Sequence, residues 1–334
     1  MMKGRKGLTM KTTASMKQLM IAALLCLAAS AGAEAGEADT AAQVNDTVIT
    51  RQRVQHGVEA LMQAKRLNYG GLTHPAQYKE MERQVLDELI GQELLWQEAK
   101  RQGFAATGTE LEQLLDQMRK RYSSDEAFLA DLRQGGFTAE TFKEDVSRQI
   151  AVRHFIEETL VKRIAISEQE VHDTYVANQA QLIQPEQVRA KHILIGVAPT
   201  ADDAAIAEAR TKIESVLAEA KAGADFAELA ARHSADATAA KGGDLGFAAR
   251  GVFVKPFEDA AFSLKAGEVS DVVRTRFGFH LIKVEARLEA RPLTEPEAAP
   301  QLRRYLASKK LQEAVQEEVN TLRAKGHVDV KSVS

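Results

Sequence analysis

The spacing of apolar residues changes character along the chain. Val44, Val48 and Ile49 flank the turn signal Asn45-Asp46 and predict a short strand or hairpin over 43–50. A helix is expected over 52–65, and 68–75, with two glycines and Pro75, has the composition of a loop. Helical spacing then takes over. Met81, Val85, Leu86, Leu89, Leu94, Leu95 and Ala99 share a broad face of one long helix, which Gly103 should end. Thr109 with Glu112 predicts a capping box before Leu111, Leu114, Leu115 and Met118. Ser123 with Glu126 predicts another before Phe128 and Leu132, and Gly135-Gly136 break that helix. Thr138 opens a further helix through Phe142, Val146, Ile150, Phe155, Ile156 and Leu160. Ser167 and Glu170 cap the next, which contains Val171 and Tyr175. Capping and solvation explain these glutamates without any chemistry.

Near Pro185 the pattern switches. The β-branched and aliphatic run 188–197 predicts a strand, and 204–222 and 226–233 read as helices. A glycine-rich passage at 242–246 follows, then a short helix over 256–262, where proline suits a first turn. Segments 269–275 and 279–284 predict the last two strands of the block. The outline is βααβαββ, a small α+β domain with helices against an antiparallel sheet. Pro292, Pro296 and Pro300 mark a linker or helix lead-in; 302–322 is helical again, and Val328 and Val330 suggest a terminal strand. A helical body interrupted by a compact domain, with a returning C-terminal helix, is the organisation expected. No internal repeat is evident.

The first residues change the picture. Lys3, Arg5, Lys6, Lys11 and Lys17 precede an apolar run over 19–29, and small residues then give two cleavage patterns, Ala31-Gly32-Ala33 and Ala33-Glu34-Ala35. This is the pattern of a secretory signal peptide over 1–35. An uncleaved anchor is the alternative reading, and it would keep the chain at the inner membrane facing the periplasm. Cys26, the single cysteine, lies inside the run, so a cleaved product has none and forms no disulfide. Leu25 before it does not fit a lipoprotein signal. The leader takes five of the 44 basic residues and one of the 47 acidic ones, leaving a formal charge of -7. An acidic product without a basic tract gives no reason to expect nucleic-acid binding.

Three features of the α+β block need a joint explanation: His192 in an apolar strand, the run Lys241 to Phe247, and Lys255 to Phe262 followed by Arg276-Phe277-Gly278-Phe279-His280. Two histidines in apolar strands suit a hydrogen-bonded core; a metal would need further donors, and neither cysteine nor an HExxH pattern supplies them. His192-Ile193-Leu194, Gly243-Asp244-Leu245-Gly246, Lys255-Pro256-Phe257-Glu258, Gly267-Glu268-Val269-Ser270 and Phe277-Gly278-Phe279-His280 resemble, in this order, the motifs of parvulin-type prolyl isomerases over 186–287.

The resemblance implies a parvulin-like four-stranded antiparallel sheet with surrounding helices, joined to a mainly α-helical, chaperone-like body. It implies that His192 and His280 are the paired histidines beneath the substrate, and that Asp236 stands where some members have cysteine. Thr275 resembles the hydroxyl residue of the same catalytic network. Leu245, Phe253 and Phe257 resemble the residues that receive the substrate proline. Phe253 replaces a methionine common in the family, and Phe277 a serine found in some members. No cofactor or metal is implied. The stretch 196–203 contains two acids and no Lys or Arg, so a phosphorylated substrate is not expected. The flanks, 36–180 and 293–334, resemble those of exported parvulin-containing chaperones, with the C-terminal helix packing on the N-terminal body. The implied partners are unfolded or partly folded exported polypeptides containing X–Pro bonds.

Overall fold

Asn45 makes the first hairpin possible. In the computed structural model, which describes residues 39–65 and 75–331, it has φ of 53°, a left-handed conformation that asparagine tolerates better than most residues. It turns β1 (Thr40–Val44) into β2 (Thr47–Thr50), and the C-terminal β9 (Val328–Val330) pairs antiparallel on the other side of β1. The leader, with Cys26 and both cleavage patterns, lies outside the described residues, as does the loop expected over 68–75 apart from Pro75.

The described residues form two compact units, one within His172–Pro300 and one within Met1–Val171 with Gln301–Ser334. In the larger unit, α1 (Arg51–Ala64) starts from Thr50, whose hydroxyl accepts from the Arg53 amide. Then come α2 (Pro75–Arg101), α3 (Gly108–Arg119), α4 (Asp125–Gln134) and α5 (Ala139–Phe155); α6 (Glu168–Asn178) follows at the boundary in the chain between the two units. Two caps differ from expectation. α3 is capped by Thr107, which accepts from the Glu110 amide at 3.2 Å, so Thr109 lies inside the first turn. α4 is capped by Ser124, not Ser123, with Ala127 as donor. Both sites offer two hydroxyl residues close together, and the one whose backbone is extended becomes the cap. Thr138 and Thr141 close a reciprocal box on α5, and Ser167 and Glu170 do the same on α6. The last helix, α10 (Glu295–Lys325), starts well before the expected 302, because the Thr294 amide and hydroxyl both donate to Glu297.

Leu89, Ile90, Val54, Val58, Ile49 and Val44 form one apolar centre of this unit. Leu95, Phe155, Leu160 and Leu311 form another. A polar cluster interrupts the apolar packing. Arg53, Glu93 and Asp145 are buried. Gln149 donates to Asp145 at 2.7 Å and Gln97 to Glu93 at 2.9 Å, while Arg148 lies 3.6 Å from Glu93. Among the described residues, no helix is long and apolar enough to cross a membrane.

The smaller unit holds β3 (Ile183–Gln184), β4 (Gln187–Gly196), α7 (Asp203–Lys221), α8 (Phe226–His233), β5 (Asp244–Ala249), α9 (Lys255–Ser263), β6 (Val273–Thr275), β7 (Gly278–Leu288) and β8 (Arg291–Pro292). The antiparallel sheet has order β5-β4-β7-β6, with helices around it, and β3 pairs with β8 where the chain enters and leaves. The α+β assignment is thus borne out. The strand expected over 269–275 is shorter. Only Val273–Thr275 forms β6, because Ser270 Oγ accepts from the Ile282 amide and takes the place of a backbone acceptor. Both faces of the sheet are covered. Ile193, Ile213, Leu229 and Leu281 pack on the α7–α8 side, and Ala190, Phe257, Ile282 and Val284 on the α9 side.

Candidate functional site

Register alone brings the two histidines together. His192 lies opposite Ile282, and Leu194 opposite His280. His192 and His280 are therefore diagonal neighbours on one face of β4 and β7, within reach of each other's rings. Both are buried, at 5% and 4% exposure. Their rings stack at 5.6 Å with 20° between planes, and the two Nδ1 atoms are 3.4 Å apart. The face is the one covered by α9.

Each end of the histidine pair has a polar neighbour. Thr275 Oγ1 is 2.8 Å from His280 Nε2 and accepts from the Phe277 amide at 3.1 Å. Asp236 Oδ1 is 3.2 Å from His192 Nε2, off the line of a good hydrogen bond. Asp236 is held at about 2 by the Thr238 hydroxyl above all, with the Thr238 amide and His192 adding to it against burial. Burial, with His192 beside it, lowers His280 to about 4, partly offset by Asp236.

An ionised Asp236 only accepts. The tautomer of each imidazole sets which atom donates in the His192–His280 and His280–Thr275 contacts, while the Thr275 oxygen accepts from the Phe277 N–H. The network contains no free nucleophile.

An apolar wall stands directly against this polar row. Phe257, in the first turn of α9, is 4% exposed. Its ring meets His192 at 5.7 Å and 75°, and His280 at 5.4 Å and 86°, both edge-on. Phe253 lies 4.8 Å from Phe257. Leu245 on β5 and Phe253 are partly buried beside the same cluster. All seven residues singled out from the sequence are thus in the smaller unit, on or beside the α9 face of its sheet. Among the described residues, no group of three or more His, Cys, Asp or Glu is arranged to hold a metal.

Comparison with known proteins meets the same division of the chain. Residues 175–287 match the model of the PPIC-type PPIASE domain, and residues 5–156 that of the SurA-like N-terminal domain. The foldase protein PrsA of Caldanaerobacter subterraneus subsp. tengcongensis is 31% identical over 239 residues, covering 71% of this chain and 67% of the relative. The chain belongs to the SurA/PrsA-like family of periplasmic, parvulin-type chaperones. The chaperone SurA of Thiobacillus denitrificans is 32% identical over 244 residues, 73% of this chain and 55% of the relative. That of Pseudomonas syringae pv. tomato is 32% identical over 266 residues, 79% and 61% respectively. The chain therefore spans between about half and two thirds of the length of these SurA chaperones.

Within the PPIC-type domain, three residues have roles that the sequence reading did not assign, Gly243 being known there only as part of a motif. Thr238 donates to Asp236 through its hydroxyl at 2.6 Å and its amide at 2.8 Å. The Asp-x-Thr spacing, a side chain bonding its own backbone two residues on, was the available signal. Ser234 Oγ accepts from the Leu194 amide at 3.1 Å and from the Asp236 amide at 3.3 Å, which ties the Asp236 loop to β4. Gly243 has φ of +76°, and its carbonyl accepts from the His192 amide at 2.9 Å. A Cβ there would lie 2.2 Å from the His192 carbonyl oxygen, so only glycine allows β5 this close to the histidine.

Proposed function

We propose that this protein is a peptidyl-prolyl cis/trans isomerase whose helical body holds unfolded or partly folded exported polypeptides. The observation that carries the reading is the Phe257 ring set edge-on against both imidazoles and 4.8 Å from Phe253. It makes an apolar seat beside the buried His192, His280 and Thr275.

The reaction needs such a seat and little else. Resonance makes the X–Pro C–N bond partly double, with a rotation barrier of roughly 18–20 kcal/mol. The cis and trans states differ by only about 0.5–1 kcal/mol, so the barrier is the whole problem. No bond is broken and no cofactor is needed. Leu245, Phe253 and Phe257 hold the pyrrolidine ring, while the rest of the peptide rotates about the C–N bond. His192, Asp236, Thr275 and His280 present fixed dipoles to the amide as it loses planarity, favouring the twisted state over either planar one. Asp236 is already engaged by Thr238 and His192, which leaves it no role as an attacking group.

The acidic stretch 196–203 points to unphosphorylated X–Pro segments. In this reading the leader 1–35 is removed on export, 186–287 isomerises, and 36–180 with 293–334 holds the client. The test is exchange NMR on a short unphosphorylated X–Pro peptide with the full chain. Phe253→Ala serves as the control, since Phe253 is only partly buried and its loss leaves the core in place. Acceleration by the parent and a large but measurable reduction in the folded variant support the isomerase. No acceleration over a varied peptide set leaves a client-holding chaperone without isomerase activity.

A further inference from the structure

Glu258 is a buried carboxylate, 8% exposed, that no histidine of the site touches. It sits one residue after Phe257 in the first turn of α9. Its Oε2 accepts from the Gly251 amide, across the loop that carries Phe253. Among the described residues it has no ion-pair partner. The nearest cations in sequence are committed elsewhere: Lys255 to Asp259, and Arg250 to Glu186. With no cation beside it, this buried carboxylate is held by the Gly251 N–H it accepts from.

The loop it holds has few other restraints. Gly251 has φ of +89°, and Val252 is 66% exposed. The Arg250 guanidinium lies 4.2 Å over the Phe262 ring, so α9 grips the loop at two consecutive residues through Glu258 and Phe262, one helical turn apart. Val252 and Phe253 follow directly from those two grips. The position of Phe253 against Phe257 is therefore set from α9.

We propose that Glu258 is a positioning residue for the proline seat: through Gly251 N–H it fixes the 250–254 loop so that Phe253 stays packed on Phe257. The inference rests on the isomerase reading for its consequence in catalysis, but the placement of the wall can be read without activity.

The experiment uses the full chain with Glu258→Ala, Glu258→Gln, Phe253→Ala and the Glu258→Ala/Phe253→Ala double variant. Two things are measured: exchange of the Gly251 amide and Phe253–Phe257 ring contacts by NMR, and kcat/KM on an X–Pro peptide. In Glu258→Ala the Gly251 amide loses its protection, the ring contacts weaken, and kcat/KM falls about tenfold or more, as loss of a charge-assisted bond implies. Glu258→Gln keeps a carbonyl acceptor and recovers most of the rate. In the Phe253→Ala background, Glu258→Ala has no further effect, because its action passes through that ring. Equal losses in both backgrounds, or a Gly251 amide and ring contacts unchanged in Glu258→Ala, would overturn the proposal. A parent without activity overturns the isomerase reading instead; the amide and ring measurements then decide the placement by themselves.

Discussion

Thr275→Val tests the polar row with little change of shape. Thr275 is 6% exposed, and valine fills the same space, so no cavity opens. What is lost is one hydroxyl with two bonds, to His280 Nε2 at 2.8 Å and from Phe277 N–H at 3.1 Å. Phe277 is 49% exposed at a turn, where water can replace the acceptor. His280 is 4% exposed, and its ring nitrogen has no such replacement. The cost is therefore one buried unsatisfied polar group, about 1–3 kcal/mol. Native-state hydrogen exchange of the β4 and β7 amides reads this opening locally, which suits a chain of two units better than one global transition. Protection should fall about 5- to 150-fold in Thr275→Val. Thr275→Ser keeps both bonds and loses one methyl group, about 0.8 kcal/mol. Protection unchanged within about twofold in Thr275→Val would refute the argument that this hydroxyl terminates the buried row.

Other outcomes follow from the same geometry. Gly243→Ala places a Cβ 2.2 Å from the His192 carbonyl oxygen at φ of +76°; strain and the lost His192–Gly243 bond should cost about 3 kcal/mol or more. A thermal midpoint of the isomerase unit within about 3 °C of the parent would contradict this. His280 is lowered from its usual 6.5 to about 4, first by burial, so the folded state binds its proton less well. Its contribution to stability is full above pH 6.5 and is lost as pH falls toward 4. A ring titration by NMR should have its midpoint near 4, and a midpoint near 6.5 would show that the ring is not desolvated as described. Asp145 has the opposite sign: burial raises it from 3.8 to about 6 against the pull of Arg53, so the folded body prefers it protonated. Its stabilising contribution is present below pH 3.8 and is lost as pH rises through 6. Relative to Asp145→Asn, the parent should lose roughly 2 kcal/mol of body stability between pH 4 and 7.5; parallel stability profiles would refute it.

Much of the fold was legible because short-range chemistry dictates it. The apolar periods gave the long helix of 81–99, the strand of 188–197 and the helix of 226–233 with little error, since those faces are buried as the pattern required. Boundaries were less legible wherever two residues compete for one role. Thr107 and Thr109, or Ser123 and Ser124, are equally able to cap, and the choice depends on the path of the incoming chain. The strand over 269–275 shortened because a side chain, Ser270, competes with the backbone ladder, which no period reveals.

The site divides in the same way. The sequence by itself determined which residue types are present and, through the ordered motifs, which of them to group: His192, Asp236, Thr275 and His280, with Leu245, Phe253 and Phe257. The tertiary structure decided how they meet. Histidines 88 residues apart become neighbours only through the β4–β7 register, and a slip of one residue would send one of them to the opposite face. The lowered basicity of His280 and the roles of Ser234, Thr238, Gly243 and Glu258 come from desolvation and from backbone approaches a few ångströms long. Those depend on distances between segments remote in sequence, and local pattern carries no record of them.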